Sequence, residues 1–254
     1  MIDTHAHYDD PAYDEDREEL LNGLLNGGGL KAIVTIGCNE PTSLAALSLA
    51  KRYDRVFAAA GYHPEMAEET DLEKLAGWTK DPKTVAIGEI GLDYHYDSPD
   101  RSVQQKALKE QLAFARDCSL PVVIHDRDAH GDLLNILKEF PGVTGVFHSY
   151  SGSWEMAKEL LRKGWYISFS GVVTFKNARQ AVEVAEKVPP DRFLTETDCP
   201  YLTPVPFRGR RNDSGRMAYT LEKLAEIRRT SFEEIERQSE ENAKALFRLP
   251  ETLF

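Results

Sequence analysis

The chain is poor in cysteine, short of positive charge and free of long apolar runs, and each shortage removes a class of protein. Only three cysteines, Cys38, Cys118 and Cys199, stand in 254 residues. An odd number at wide spacing supports neither a disulfide framework nor a zinc knuckle built from close pairs, and fits a reducing, cytoplasmic setting. No stretch approaches the ~20 apolar residues of a membrane helix, so no membrane association is expected. The opening Met1-Ile2-Asp3-Thr4-His5 lacks the charged-then-apolar order of a signal peptide. Lysine and arginine total 31 against 42 acids, a net charge of −11. That balance disfavours a protein that coats nucleic acid through a broad basic face. It leaves room for an enzyme that grips one or two phosphates through metal ions and a local arginine cluster. No linker, low-complexity tract or composition break divides the chain, and no obligate protein partner is evident, so one domain over residues 1–254 is expected.

What is present is a regular alternation. Apolar, β-branched runs occupy residues 1–7, 32–38, 56–63, 85–92, 121–125, 143–148, 165–170 and 193–198. They lack strict alternation, as strands buried on both faces do. Helical segments lie between them. Asn39-Glu40-Pro41 and Ser98-Pro99 predict helix starts, the second helix running to about Cys118. Ser153 caps a helix that ends at Gly164, and Ser231-Phe232-Glu233-Glu234 forms a capping box ahead of the last helix, which stops before Pro250. Eight such units predict an α/β fold, a single (β/α)8 TIM-type barrel, in preference to an open doubly wound sheet. The long irregular stretch at 199–215, rich in proline, arginine and glycine, follows the last strand and predicts a functional loop.

Metal-seeking side chains recur at the ends of these runs. His5 and His7 are two apart on one strand, so both imidazoles share a side; alone, the pair is equally well explained as hydrogen-bonded strand residues. Glu89, flanked by glycines in an apolar run, needs a partner for its buried charge and has two oxygens with which to bridge two cations. His125 and His148 each close a strand, at the barrel face where active sites are built. Asp198 stands just before Pro200 at the tip of the last run, placed to bind a metal and to accept a proton from water. Glu196 shares the side of Asp198 but lies deeper, and structural pairing is expected for it. His63 either contacts substrate phosphate or supports a ligand by hydrogen bonding. Asp93 and Tyr94 are expected to line the pocket. Arg127 is a candidate phosphate clamp, and Arg208, Arg210 and Arg211 form the one concentrated positive strip. Trp154 and Trp165 are expected to pack in the core and not to stack on bases.

Seven elements in this order resemble the TatD family of metal-dependent deoxyribonucleases, within the wider amidohydrolase-type barrels. They are Ile2-Asp3-Thr4-His5-Ala6-His7, Gly61-Tyr62-His63-Pro64, Gly88-Glu89-Ile90-Gly91-Leu92-Asp93-Tyr94, Ile124-His125-Asp126-Arg127, His148-Ser149-Tyr150-Ser151-Gly152, Glu196-Thr197-Asp198-Cys199-Pro200-Tyr201-Leu202 and Arg208-Gly209-Arg210-Arg211-Asn212. The resemblance spans essentially the whole chain and implies two divalent metal ions. His5, His7 and Asp198 would hold one, His125 and His148 the other, and Glu89 would bridge, where the superfamily often uses a modified lysine. Mixed oxygen and imidazole donors suit Mg, Mn or Zn alike. Three departures stand out: Thr195 where leucine is usual, Cys199 for serine or alanine, and Asp213-Ser214-Gly215 where a proline often follows Arg211-Asn212. The last bears on the shape of the substrate loop.

The resemblance implies a hydrolase that cleaves phosphodiester bonds, trimming single-stranded or frayed DNA ends, with Asp198 and Glu89 as its catalytic carboxylates. DNA contact is expected to be local and weak without metal. Two alternatives stay open: the same barrel acting on an ester, amide or aminoacyl linkage, since ligands do not fix the substrate, and a metal-stabilised scaffold without turnover.

Overall fold

A computed structural model describes residues 1–27 and 29–251. Its eight parallel strands pair in sequence order: β1 (Ile2–Ala6), β2 (Ala32–Ile36), β3 (Val56–Ala60), β4 (Thr84–Asp93), β5 (Val122–Arg127), β6 (Gly145–Phe147), β7 (Tyr166–Phe169) and β8 (Phe193–Thr195). The sheet closes on itself just beyond β8. Ala6 bridges Cys199, His7 N–H donates to the Cys199 carbonyl at 2.8 Å, and Asp198 N–H donates to the His5 carbonyl at 2.8 Å. The expected TIM-type barrel is what forms.

Helices alternate with the strands: α1 (Arg17–Gly27), α2 (Glu40–Arg52), α3 (Leu72–Trp78), α4 (Arg101–Cys118), α5 (His130–Glu139), α6 (Trp154–Arg162), α7 (Arg179–Lys187) and α8 (Met217–Arg228), with α9 (Phe232–Phe247) last. Asn39 caps α2 in a full capping box with Thr42, and Ser153 and Ser231 cap α6 and α9 through the amides of Met156 and Glu234. The helix expected from Ser98-Pro99 begins later, at Arg101. Asp100 stands at its N-cap with a non-helical φ of −51° and ψ of 144°. None of the described helices is long and apolar enough to cross a membrane.

Strand alternation divides the apolar residues into two layers. Ile33, Ala58 and Ile87 face outward under the helices, whereas Val34, Phe57, Ala59, Val123, Val146 and Leu194 fill the barrel interior. Leu246, Phe247 and Leu249 join the interior set, so the end of α9 packs against the same core as the inner faces of the strands. Burying each of these large side chains contributes about 1.5–3 kcal/mol.

Two strands break phase where the site begins. The register shifts between Asp3 and Ala6 on β1 and between Ile87 and Ile90 on β4. Ile2 and Ala86 thus lie in the interior core, and His5 and Glu89 still point inward further along the same strands. Gly91 permits the approach of β5: a Cβ there would lie 1.9 Å from the His125 carbonyl oxygen, and its φ of +151° is one that L side chains rarely adopt.

Candidate metal centre

Each site residue at a strand tip is fixed first by its backbone. The amides of His63 and His148 donate to the carbonyls of Cys38 and Ile124 on neighbouring strands or their extensions, at 2.9 and 3.1 Å, and the Glu89 amide reaches past β3 to the Gly37 carbonyl beyond β2 at 3.0 Å. Asp198 takes the left-handed conformation (φ 55°), which aspartate tolerates better than most residues. Beneath it, buried Asp3 accepts from Thr197 N at 3.0 Å, Thr197 Oγ1 at 2.6 Å and Ser214 Oγ at 2.6 Å, tying β1 to the strand that carries Asp198. Burial raises the Asp3 carboxyl to about 7 in spite of these bonds. Ser214 belongs to the segment that departs from the family pattern, and here it anchors the 199–215 loop. Asn212 does the same, its Nδ2 donating to the carbonyls of Thr197 and Tyr201 at 3.1 and 2.7 Å.

The side chains of the site residues converge. His5 Nε2 lies 3.4 Å from Glu89 Oε2, 3.5 Å from Asp198 Oδ1 and 3.2 Å from His7 Nε2. His7 Nε2 lies 3.3 Å from Asp198 Oδ1. On the other side of Glu89, Oε1 is 2.8 Å from His125 Nδ1 and 3.2 Å from His148 Nε2. Glu89 therefore touches both histidine sets, one with each oxygen. Ligand atoms within 4.8 Å of one another form three overlapping groups: His5, His7 and Glu89; His5, His148 and Asp198; and His63, Glu89 and His125. The division is less clean than expected, because His148 also faces the His5 side, its ring stacked on His5 at 3.9 Å between centroids.

The outer nitrogens decide which rings can bind a cation. His148 Nδ1 donates to Glu196 Oε1 at 3.0 Å, and Ser149 N–H holds the same oxygen at 2.7 Å. That leaves the Nε2 lone pair of His148 directed at the centre. His125 is the mirror case: Nε2 donates to Asp93 Oδ2 at 2.9 Å, leaving Nδ1 facing Glu89. A carboxylate behind a ligating histidine fixes its tautomer and raises its basicity. His63 is arranged the other way round. Its Nδ1 accepts the Glu65 amide at 3.2 Å, so a neutral His63 carries its proton on Nε2, 4.0 Å from Glu89 Oε1. In this arrangement His63 is a donor to whatever occupies the cleft. Burial lowers it to about 3 and keeps it neutral.

The electrostatics suit a cation. Burial alone would raise the Glu89 and Asp198 carboxyls, but the surrounding histidines hold both below their ordinary values, Glu89 far below. Burial opposes protonation of His125 and His148 as well, yet Asp93 and Glu89 lift the first to about 10, and Glu89 with Glu196 lifts the second to about 9. Bound protons balance these carboxylates, and a divalent ion would displace them. Convergent imidazole and carboxylate donors, two of the rings already fixed from behind, fit a metal.

Around this centre lies a cavity of about 610 Å³, lined among others by Cys38, His63, Asp93, Tyr96, Arg127 and Tyr201. Asp93 lines it, as expected, but its main partner is His125. Tyr94 does not line it. One position further along the strand it points outward, its hydroxyl donating to Asp132 at 2.8 Å and accepting from Gln105 at 2.8 Å. The arginine strip divides. Arg208 lies over Phe175 at 3.8 Å, and exposed Arg210 has no ion pair among the described residues. Both line a neighbouring groove of about 530 Å³ that shares Asp10 and Tyr201 with the metal cavity. Arg211 also borders that groove, but its guanidinium is bound by Asp16 at 2.7 and 2.5 Å and by the Ala12 carbonyl at 2.8 Å. It is a loop anchor, not a free phosphate clamp. Trp165 is buried against Phe147 and Trp154 packs at the core's edge, as expected. Tyr96 went unnoticed in the sequence, and Tyr201 was read only as part of a family element without a role, because both sit in irregular segments that carry no periodic signal.

The family model for TatD-related DNases matches residues 2–248. The chain is similar to the uncharacterized metal-dependent hydrolase YabD of Bacillus subtilis, with 43% identity over 98% of this chain and 99% of that one. It is also similar to YcfH of Escherichia coli, named likewise, with 34% identity over 98% and 96%. Among solved structures it matches YjjV, a TatD homologue from Escherichia coli, at a TM-score of 0.91 and 34% identity, covering 98% of each chain. A TatD-family hydrolase from Entamoeba histolytica, 22% identical over 97% of each chain, shares the fold at a TM-score of 0.86. With its barrel and converging histidines and carboxylates, the chain belongs to the TatD family of metal-dependent hydrolases.

Proposed function

We propose that the protein is a divalent-metal-dependent phosphodiesterase that acts on DNA, an exonuclease on single-stranded or frayed ends. The observation that carries this reading is Glu89 reaching one histidine set with each of its oxygens, an arrangement suited to two ions. His5, His7 and Asp198 would hold one ion and His125 and His148 the other, Mg, Mn or Zn being equally suited to the donors. Bound there, the ions would neutralise phosphate oxygens and lower the pKa of attacking water. The DNA preference is supported by the name of the family model and by the arginines at and beside the cavity.

The chain's own groups have distinct tasks. Asp198, held as a carboxylate among His5, His7 and His148, accepts the proton of the attacking water. His63 donates from Nε2 to a phosphate oxygen. Arg127, at the cavity wall, pairs with a phosphate through its guanidinium fork. Arg208 and Arg210 receive the strand as it leaves along the adjoining groove. Asp93, at the cavity wall, and Glu196, behind His148, keep His125 and His148 in the required tautomers.

One observation favours the other substrate class. The cavity is lined by Asp9, Asp10, Glu65, Glu89, Asp93 and Asp198, with Arg127 the one arginine or lysine among its lining residues. Such a lining accepts an uncharged ester, amide or aminoacyl linkage more readily than a polyanion unless metal is bound. End-labelled single- and double-stranded DNA and a panel of small esters and amides, each incubated with Mg, Mn or Zn, separate the two. Cleavage of DNA ends that is lost in Asp198→Asn supports the proposal, and cleavage of the small acyl substrates alone overturns it.

A further inference from the structure

Four large hydrophobic side chains are strongly exposed among the described residues, and two of them, Tyr96 (52%) and Tyr201 (54%), stand at the metal cavity. Exposure of aromatic rings is costly; two at one cavity mark a surface awaiting a planar ligand. They come from separate segments, Tyr96 from the turn after β4 and Tyr201 from the loop after β8. Each stands beside cationic groups. The Arg127 guanidinium lies 5.5 Å from the Tyr96 ring centroid. Tyr201 borders both the cavity and the groove that carries Arg208 and Arg210. Tyr201 is also held in place, since its hydroxyl donates to Asp10 Oδ2 at 2.6 Å and its ring meets His7 edge-on at 6.2 Å.

We infer that Tyr96 and Tyr201 form a two-station aromatic clamp that stacks the nucleobases on either side of the phosphate at the metal centre. This rests on the phosphodiesterase reading above and specifies its substrate class. A base stacked on tyrosine has left its neighbours in the strand, so the clamp selects single-stranded nucleic acid or a frayed terminus. Each station combines a ring with guanidinium groups, the pairing that binds single strands without regard to sequence. It also answers the acidic lining: rings supply affinity that the surrounding carboxylates would deny to phosphate alone.

The test is a binding cycle on a fluorescein-labelled single-stranded oligonucleotide whose phosphorothioate linkages resist cleavage, followed by anisotropy with Mg²⁺ present. Stacking is worth about 1–3 kcal/mol per base, so Tyr96→Ala and Tyr201→Ala should each weaken binding roughly fivefold or more. Tyr96→Phe, which keeps the ring, should bind within about twofold of the parent, and Tyr201→Phe, which keeps the ring but loses its anchor on Asp10, should fall between the parent and Tyr201→Ala. Abasic residues are then scanned along the strand. At the position facing each ring, an abasic residue should weaken the parent as much as the alanine variant does, and the two changes together should cost little more than one. Additive penalties, Tyr96→Phe as weak as Tyr96→Ala, or no binding by the parent would each overturn the clamp. Cleavage of the unmodified oligonucleotide is measured in parallel. Binding cycles as described without cleavage would reject the phosphodiesterase reading and keep the clamp. Cleavage with additive penalties would do the reverse.

Discussion

Glu196 Oε1 accepts the Nδ1 proton of His148 at 3.0 Å from a position that is 1% exposed, behind the ring and away from the cavity. The carboxylate thereby points the His148 Nε2 lone pair at Glu89 and the centre. Asp93 does the same for His125, through the opposite ring nitrogen.

Glu196→Gln keeps an acceptor oxygen for Ser149 N–H but removes the charge that fixes the imidazole. Metal affinity should fall about 10–100-fold, as is usual for the partner behind a ligating histidine. Far-ultraviolet circular dichroism should be unchanged. Titration calorimetry with Mn²⁺ checks this, and parental affinity in the variant would show that Glu196 is only a packing residue.

The barrel was legible because its signals are local: eight apolar runs with helix caps between them. Each run became a strand, yet several strands end before their ligands. His7, His63, His148 and Asp198 all lie just past the last ladder residue. His5, Glu89 and His125 lie within their strands, whereas these four stand where the chain leaves the sheet, so there the apolar pattern overruns the hydrogen-bonded strand. The roles of Asp93 and Glu196 were hidden for a different reason. Alternation placed Glu196 on the side of Asp198 but could not name His148 as its partner, because that pairing depends on how β6, β7 and β8 lie side by side. Arg211 misled for the plainest reason: nothing local in the sequence shows that Asp16, 195 positions away, binds its guanidinium.

That division of the arginines has a kinetic consequence. Arg127→Ala removes a charged hydrogen-bond donor from the cavity wall and should raise KM for a single-stranded oligonucleotide about tenfold or more. Arg211→Ala should leave KM within about twofold, the scatter of a surface substitution. Steady-state kinetics on one substrate compares them directly, and equal effects would return Arg211 to the substrate site.

Stability should fall on the acid side through a site remote from the candidate metal centre. Burial tends to raise the Glu240 carboxyl, but Lys31 Nζ at 2.6 Å and the N-terminal amine at 2.7 Å outweigh it and hold it below its ordinary value. A depressed carboxyl stabilises the fold above its unfolded pKa, near 4.3, and loses that contribution as pH falls through the folded value. Glu240→Gln should thus be destabilised by about 1–2 kcal/mol at pH 7. Its deficit should shrink as pH drops below about 4.3. Urea denaturation at pH 7 and pH 4 measures both, and a deficit that does not change with pH would rule out the charge as its source.

Chelation should affect binding before it affects the fold. With six carboxylates along the cavity and one arginine facing them, the metal-free protein should hold a single-stranded oligonucleotide at least tenfold more weakly than the Mg²⁺-loaded protein. Anisotropy with and without EDTA reads this out, and binding indifferent to chelation would mean that the arginines alone carry the substrate.

Glu89 joins two histidine sets, one with each oxygen, and counting bound ions tests most directly whether it bridges two metals. After Mn²⁺ loading and gel filtration, elemental analysis should find about two ions per parental chain and fewer than one per Glu89→Gln chain, as expected when a shared carboxylate is lost. A parental chain holding one ion or none, or a Glu89→Gln chain that still holds two, would contradict it.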